Sequence, residues 1–289
     1  MKFIGKHYEG IHKVKPVNTQ QLLKFKEILE DKGCDVFSKI SVIQRIGSSS
    51  LYATVWEINF LTNSSNSIKM AVKVQKDADK TLQEIEINKF LNAYPDNFLQ
   101  MYGSIYCEKI FLMDDSFSGY FIFMELAIAD LAQLLTFTQV SESELQIIIS
   151  QVFDSIYVMG KLQLFHGDLH IRNVFIVPRE DTIRAVIGDF GETIGIDSIT
   201  SHTSDIYRFC TSLLEFLNLP TFKGKYLKIK TSLEKIVKYV NRLTVKLEND
   251  YDKFNEENRD EDGNIDLNLL DSYFDSVVGN TTNIIKKMI

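Results

Sequence analysis

Three things are scarce in this chain of 289 residues, and each scarcity narrows its function. Cysteine is the first: Cys34, Cys107 and Cys210 are odd in number and far apart in sequence, which offers neither a disulfide framework nor a metal-ligand spacing and predicts a reducing compartment. Long apolar runs are the second. No stretch of about 18 apolar residues occurs, and Met1 to His7 lacks the continuous apolar segment of a signal peptide, so the expectation is no membrane span and an intracellular location, cytoplasmic or nuclear. Excess basic charge is the third. With 32 Lys and Arg against 39 Asp and Glu, the net charge of −7 argues against general nucleic-acid binding, although local basic patches remain compatible with it. Repeats and low-complexity tracts are also missing.

What is present is ample core material, 45% hydrophobic residues, enough for one large domain or two lobes. Asn18 or Thr19 can cap a helix through about Lys32, with Leu22, Leu23, Phe25, Ile28 and Leu29 as its apolar face and Gly33 as its stop. Val42 to Ile46, Thr54 to Phe60 and Ile68 to Val74 are β-branched and aromatic runs parted by small polar residues, the pattern of three antiparallel strands. A helix follows from Asp79 to Asn92, carrying Leu82, Ile85, Phe90 and Leu91 at helical spacing. Strand-like Phe98 to Cys107 and Tyr120 to Leu126 come next. Ser141 and Glu144 form a capping box ahead of an apolar run to about Lys161, and the chain from Ser201 onward reads mainly helical.

The most informative stretch is His166-Gly167-Asp168-Leu169-His170-Ile171-Arg172-Asn173, followed by Asp189-Phe190-Gly191. Between them, Val174 to Val177 and Ala185 to Ile187 read as two short strands joined by a polar turn. An aspartate, an amide five positions later and a second aspartate after a strand suit phosphoryl transfer: one group orients a hydroxyl and two hold Mg²⁺ against nucleotide phosphates. These residues resemble the catalytic loop and metal-binding turn of the protein-kinase-like superfamily. The resemblance covers about Ser41 to Leu217 and implies an α+β, bilobal kinase-like fold. Its parts would be an N-terminal helical extension (1–40), a small five-stranded antiparallel β lobe (41–127) and a larger α-helical lobe (128–289).

It further implies ATP and Mg²⁺ as cofactors. Asp168 would take the substrate hydroxyl proton, Asn173 and Asp189 would ligate the metal, and His170 would approach the γ-phosphate. Ala71-Val72-Lys73-Val74 is similar to the strand whose lysine reaches the α- and β-phosphates, and Glu84, rather than Glu86, would pair with Lys73. The segment Ile122 to Leu131 resembles a hinge, with Met124 as gatekeeper and the Glu125 carbonyl and Ala127 amide against adenine. Ala71 and Val55 would line the adenine site. The phosphate loop departs most from the family pattern: Gly47, Ser48, Ser49 and Ser50 offer one glycine where three are usual. Gly167 stands where many protein kinases carry arginine. Ser204 to Phe209 resembles the helix whose aspartate, here Asp205, braces the catalytic loop.

The resemblance implies a divergent serine/threonine protein kinase, haspin-like or viral-type, acting on a protein substrate. A small-molecule phosphotransferase of the aminoglycoside or choline kinase kind is the first alternative, on the strength of His170 and the short segment after Gly191. A pseudokinase scaffold is the second, on the strength of the glycine-poor loop. Asn258 to Leu269 partly fits a calcium-binding loop, but Leu269 occupies the position of the bidentate glutamate and no calcium is expected.

Overall fold

The structure is a computed structural model that describes residues 14, 16–46, 53–63, 66–179, 182–195, 200–258 and 267–289. Gly47, Ser48 and Ser50 of the expected phosphate loop, and most of the calcium-loop-like stretch, lie outside these residues. In chain order the elements are α1 (Thr19–Lys32), β1 (Ile40–Ile46), β2 (Ala53–Asn63), β3 (Asn66–Gln75), α2 (Ala78–Leu91), β4 (Met101–Leu112) and β5 (Asp115–Met124). They continue with β6 (Ala129–Asp130), α3 (Leu131–Phe137), α4 (Glu142–Lys161), β7 (Leu164–Phe165), β8 (Val174–Arg179), β9 (Thr182–Ile187) and β10 (Ile194–Gly195). Three helices close the chain: α5 (Thr200–Leu217), α6 (Leu227–Asn258) and α7 (Leu267–Lys286). The class is α+β with a five-stranded antiparallel sheet.

Two compact units result. The first comprises residues 1–129, 175–184 and 188–191; the second comprises 130–174, 185–187 and 192–289.

In the first unit the sheet runs β1-β2-β3-β5-β4. One of its faces carries Trp56, Ile58, Phe60, Met70, Val72, Phe121 and Phe123, all buried, and α1 covers that face with Phe25, Ile28 and Leu29. Phe25 meets Phe60 and Phe123 edge-on, at centroid distances of 4.9 and 5.2 Å. The α1 boundaries follow from local chemistry: Asn18 accepts the Gln20 amide at 2.8 Å within a capping box, and Gly33 ends the helix at φ 54°. Leu23, expected on the apolar face, is instead exposed.

Three further expectations need correction. Cys34 and Cys107 form a disulfide, with 5.8 Å between Cα atoms, that ties the segment after α1 to β4; the sequence separation of 73 residues hid a pairing that only the sheet creates. Cys210 is a free, buried thiol, pushed up by burial. On α2 the apolar residues Leu82 and Phe90 face outward, whereas Thr81, Glu84, Ile85, Asn88 and Leu91 are buried. Polar groups face inward there because each finds a partner: the Asn88 amide donates to the Glu84 carbonyl at 2.9 Å, and Glu84 meets Lys73. Finally, β4 starts at Met101 rather than near Phe98, because Phe98 leaves the ladder to pack edge-on against Phe190 at 5.9 Å.

In the second unit α4 is the central apolar helix. Ser141 caps it, accepting from the Glu144 amide at 3.2 Å while Glu144 accepts the Ser141 amide at 2.7 Å. Its buried residues, among them Leu145, Ile149, Val152, Phe153 and Ile156, pack with α5 and α7; Phe153 meets Phe209 edge-on at 5.9 Å. Glu142 also caps α6, accepting the Lys228 and Ile229 amides at 2.9 and 3.3 Å. Among the described residues, no helix is long and apolar enough to cross a membrane.

Candidate active site

Antiparallel register sets the candidate cluster in the first unit. Val55 lies opposite Lys73, and Lys73 opposite Ile122; Ala71 lies opposite both Glu57 and Met124. Directly paired residues share a face and alternate residues return to it, so Val55, Ala71, Lys73 and Met124 occupy one face of the sheet. It is the face away from α1.

Lys73 is the centre of this cluster. Its Nζ donates to Glu84 Oε1 and Oε2 at 2.7 and 3.0 Å and to Asp189 Oδ1 at 2.6 Å. The Lys73 and Glu84 side chains are 8% and 1% exposed, whereas that of Asp189 is 49% exposed. Burial pulls the Lys73 ammonium down, but the carboxylates of Glu84 and Asp189 outweigh it and hold the group above its ordinary value. Of the two glutamates on α2, Glu86 pairs with Lys89 on the exposed face. Gln75 was not foreseen from the sequence: its Nε2 donates to Glu84 Oε2 at 2.8 Å, and two steps along β3 from Lys73 was the signal that placed it on the same face.

Asp189 has φ 66°, a left-handed conformation that Asp tolerates better than most residues and that recurs at functional turns. Phe190 beside it is 1% exposed, an anchor that fixes the turn. The Glu125 side chain has a structural role that the sequence did not suggest. Its carboxylate, 7% exposed, accepts from the Arg179 guanidinium through two nitrogens, one at 3.0 Å, and Arg179 also donates to the Pro95 carbonyl at 2.7 Å. The Glu125 side chain thus clamps the strand end to the β8–β9 hairpin, and its amide bonds the Gln100 carbonyl at 2.8 Å. Ala127 is half-buried. Glu57, also unforeseen, is a fully buried carboxylate on the Lys73 face, bonded by Gln44 at 2.8 Å and Lys69 at 3.1 Å.

The second unit holds a cluster of its own. Asp205 of α5 is buried and accepts the His166 and Gly167 amides at 2.8 and 3.3 Å, so it braces the loop that carries Asp168. Burial pushes its carboxyl up to about 7, against the lowering effect of the two amide donors and Arg208. Gly167 sits at φ 80°, and a Cβ there would lie 2.5 Å from the Glu192 carbonyl oxygen, so no other residue fits without movement. That explains why arginine does not occupy this position.

Asp168 is half exposed, its amide bonded to His166 Nδ1 at 3.3 Å. Asn173 is 6% exposed and donates its amide nitrogen to the Asp168 carbonyl at 2.9 Å, which leaves Oδ1 as the atom able to meet a cation. His170 Nδ1 accepts the Arg172 amide at 3.2 Å, so a neutral ring carries its proton on Nε2, 3.6 Å from Asp168 Oδ2. Among the described residues no three His, Cys, Asp or Glu side chains gather as a metal site. Aspartate and asparagine oxygens are hard donors, of the chemical type that magnesium takes beside waters and phosphate oxygens.

No family model matches the chain, and no curated protein matches it.

Proposed function

We propose that the chain is an ATP-dependent phosphotransferase, a divergent serine/threonine protein kinase that moves the γ-phosphate to a protein hydroxyl. The observation that carries this reading is the buried Lys73 ammonium held jointly by Glu84 and the half-exposed Asp189. A lysine placed so offers a fixed positive charge to phosphate oxygens, and an aspartate half in solvent presents hard carboxylate oxygens of the kind a divalent ion takes. The braced loop in the second unit supplies the chemistry side: Asp168 orients the acceptor hydroxyl and takes its proton as the oxygen attacks the γ-phosphorus and the bond to the bridging oxygen of ADP breaks. His170 donates from Nε2 to the transferring group. By the resemblance, Asp189 in the first unit and Asn173 in the second would each offer an oxygen to magnesium, which would neutralise the phosphate charge.

The test is incubation of the purified protein with labelled ATP and Mg²⁺, beside generic protein substrates and a panel of aminoglycosides and choline, with Asp168→Asn and Asp189→Ala as controls. Label on protein that both substitutions abolish supports the proposal. Label on small molecules alone moves the chain to the small-molecule phosphotransferases, and nucleotide binding without transfer makes it a scaffold.

A further inference from the structure

The longest helix of the second unit has its charge sorted by sign. From Lys228 to Lys246 it has six cations and one acid, Glu234; from Glu248 to Glu257 it has five acids and one cation, Lys253. On α6 the buried residues Ile229, Leu233, Ile236, Val240 and Leu247 form one face, packed on α5. At about 100° per residue, Lys228, Lys235, Lys238, Arg242 and Lys246 fall within an arc of about 80° on the opposite side. All five are exposed, and the stripe runs about 27 Å at 1.5 Å per residue.

An ordinary solvated helix face mixes both signs so that charges three or four apart attract. Apart from Glu234 at its edge, four residues before Lys238, this face does the reverse. Lys235 and Lys238 are three apart, while Lys238, Arg242 and Lys246 follow at intervals of four, so like charges adjoin along the stripe. Only Lys246 has a partner, Asp250 at 3.9 Å; Lys228, Lys235, Lys238 and Arg242 make no ion pair among the described residues. Repulsion of this kind, opposite the buried face, is relieved by an anion, and among the described residues Asp250 is the acid that pairs with the stripe.

We propose that this stripe docks an acidic segment of another protein, about 27 Å long, independently of whether the chain transfers phosphate. Its abrupt end favours that occupant over a nucleic acid. A phosphate polymer following the stripe along the helix axis would run on to Asp250, Glu256 and Glu257, whose carboxylates repel it. An anionic bilayer is disfavoured too, since the flank offers only Leu227 and Val245 as exposed apolar residues to insert.

Fluorescence anisotropy with the full chain tests it, using a labelled Asp/Glu-rich 18-residue peptide, its Asn/Gln counterpart, a 20-nucleotide single strand, and vesicles with one-quarter anionic lipid. The acidic peptide is expected to bind at 50 mM salt, to weaken as salt rises, and to bind at least tenfold more weakly to the Lys235→Glu, Lys238→Glu, Arg242→Glu triple variant. A second variant with glutamine at the same three positions should fall between, and both should keep the wild-type circular dichroism. Peptide binding that is absent, or unchanged by both variants, overturns the proposal; so does tighter binding of the oligonucleotide or the vesicles.

Discussion

Replacing Lys73 with methionine isolates what its ion pair does for folding from what it does for chemistry. The substitution keeps the volume of the side chain but leaves the Glu84 carboxylate, 1% exposed, with Gln75 as its hydrogen-bond donor. Removing one member of a buried pair costs about 3–5 kcal/mol, and the surviving Gln75 contact puts this case near the lower end, about 3 kcal/mol. Asp189 contributes little to that cost, since a half-exposed partner of this kind is worth about 1 kcal/mol or less. Substituting Glu84→Leu as well removes the stranded charge, so the double variant should return to within about 1 kcal/mol of the wild type while remaining inactive. Urea melts of the wild type, both single variants and the double variant give the cycle, and labelled-ATP transfer gives activity. Because Lys73 is raised, the pair's contribution is complete below the ordinary lysine range and is lost only as pH rises through the still higher folded value. A single variant that costs under about 1 kcal/mol, or a double variant as unstable as Lys73→Met, would refute the reasoning.

Gly167→Ala should destabilise by about 2 kcal/mol or more, from the left-handed backbone together with the approach to Glu192, whereas Gly195→Ala, which meets nothing within 4 Å, should be near neutral; thermal melts compare them. The unreduced, denatured protein should show one titratable thiol, Cys210, and Cys34→Ser should lose on the order of 4 kcal/mol, the loop entropy released by opening a 73-residue closure; three titratable thiols would contradict the disulfide. Burial holds His202 down to about 4, from an ordinary 6.5, so the folded state binds fewer protons than the unfolded one across that interval and stability falls as pH drops through it. His202→Gln should therefore lose less stability than the wild type between pH 6.5 and 4, by about 3 kcal/mol at the lower end, as read from urea melts at both pH values. An identical pH slope in the two proteins would exclude a neutral, buried histidine.

Much of the local structure was legible in the chain because its determinants are local. Asn18 and Ser141 cap their helices through amides two or three residues away, Gly33 stops α1 by its own φ, and the β-branched runs mark β1 to β3 within a few residues at each end. The choice of Glu84 over Glu86 rests on the different projection of residues two apart on a helix together with the resembled family's pattern after its glutamate, and Glu84 is the residue that meets Lys73. The buried face of α2 was not legible, since apolar spacing points to Leu82 and Phe90 while the buried positions go to residues whose polar groups find partners.

Periodicity, caps and the order of the chemistry-bearing residues are properties of neighbours in the chain, and the amino acids alone decided them. The tertiary structure alone decided the Cys34–Cys107 bond, the Arg179 clamp on Glu125 and the crowding that confines position 167 to glycine. Each of those depends on atoms brought together across tens of residues, and the free energy that selects them comes from burying and pairing groups whose separation along the chain leaves no pattern to read.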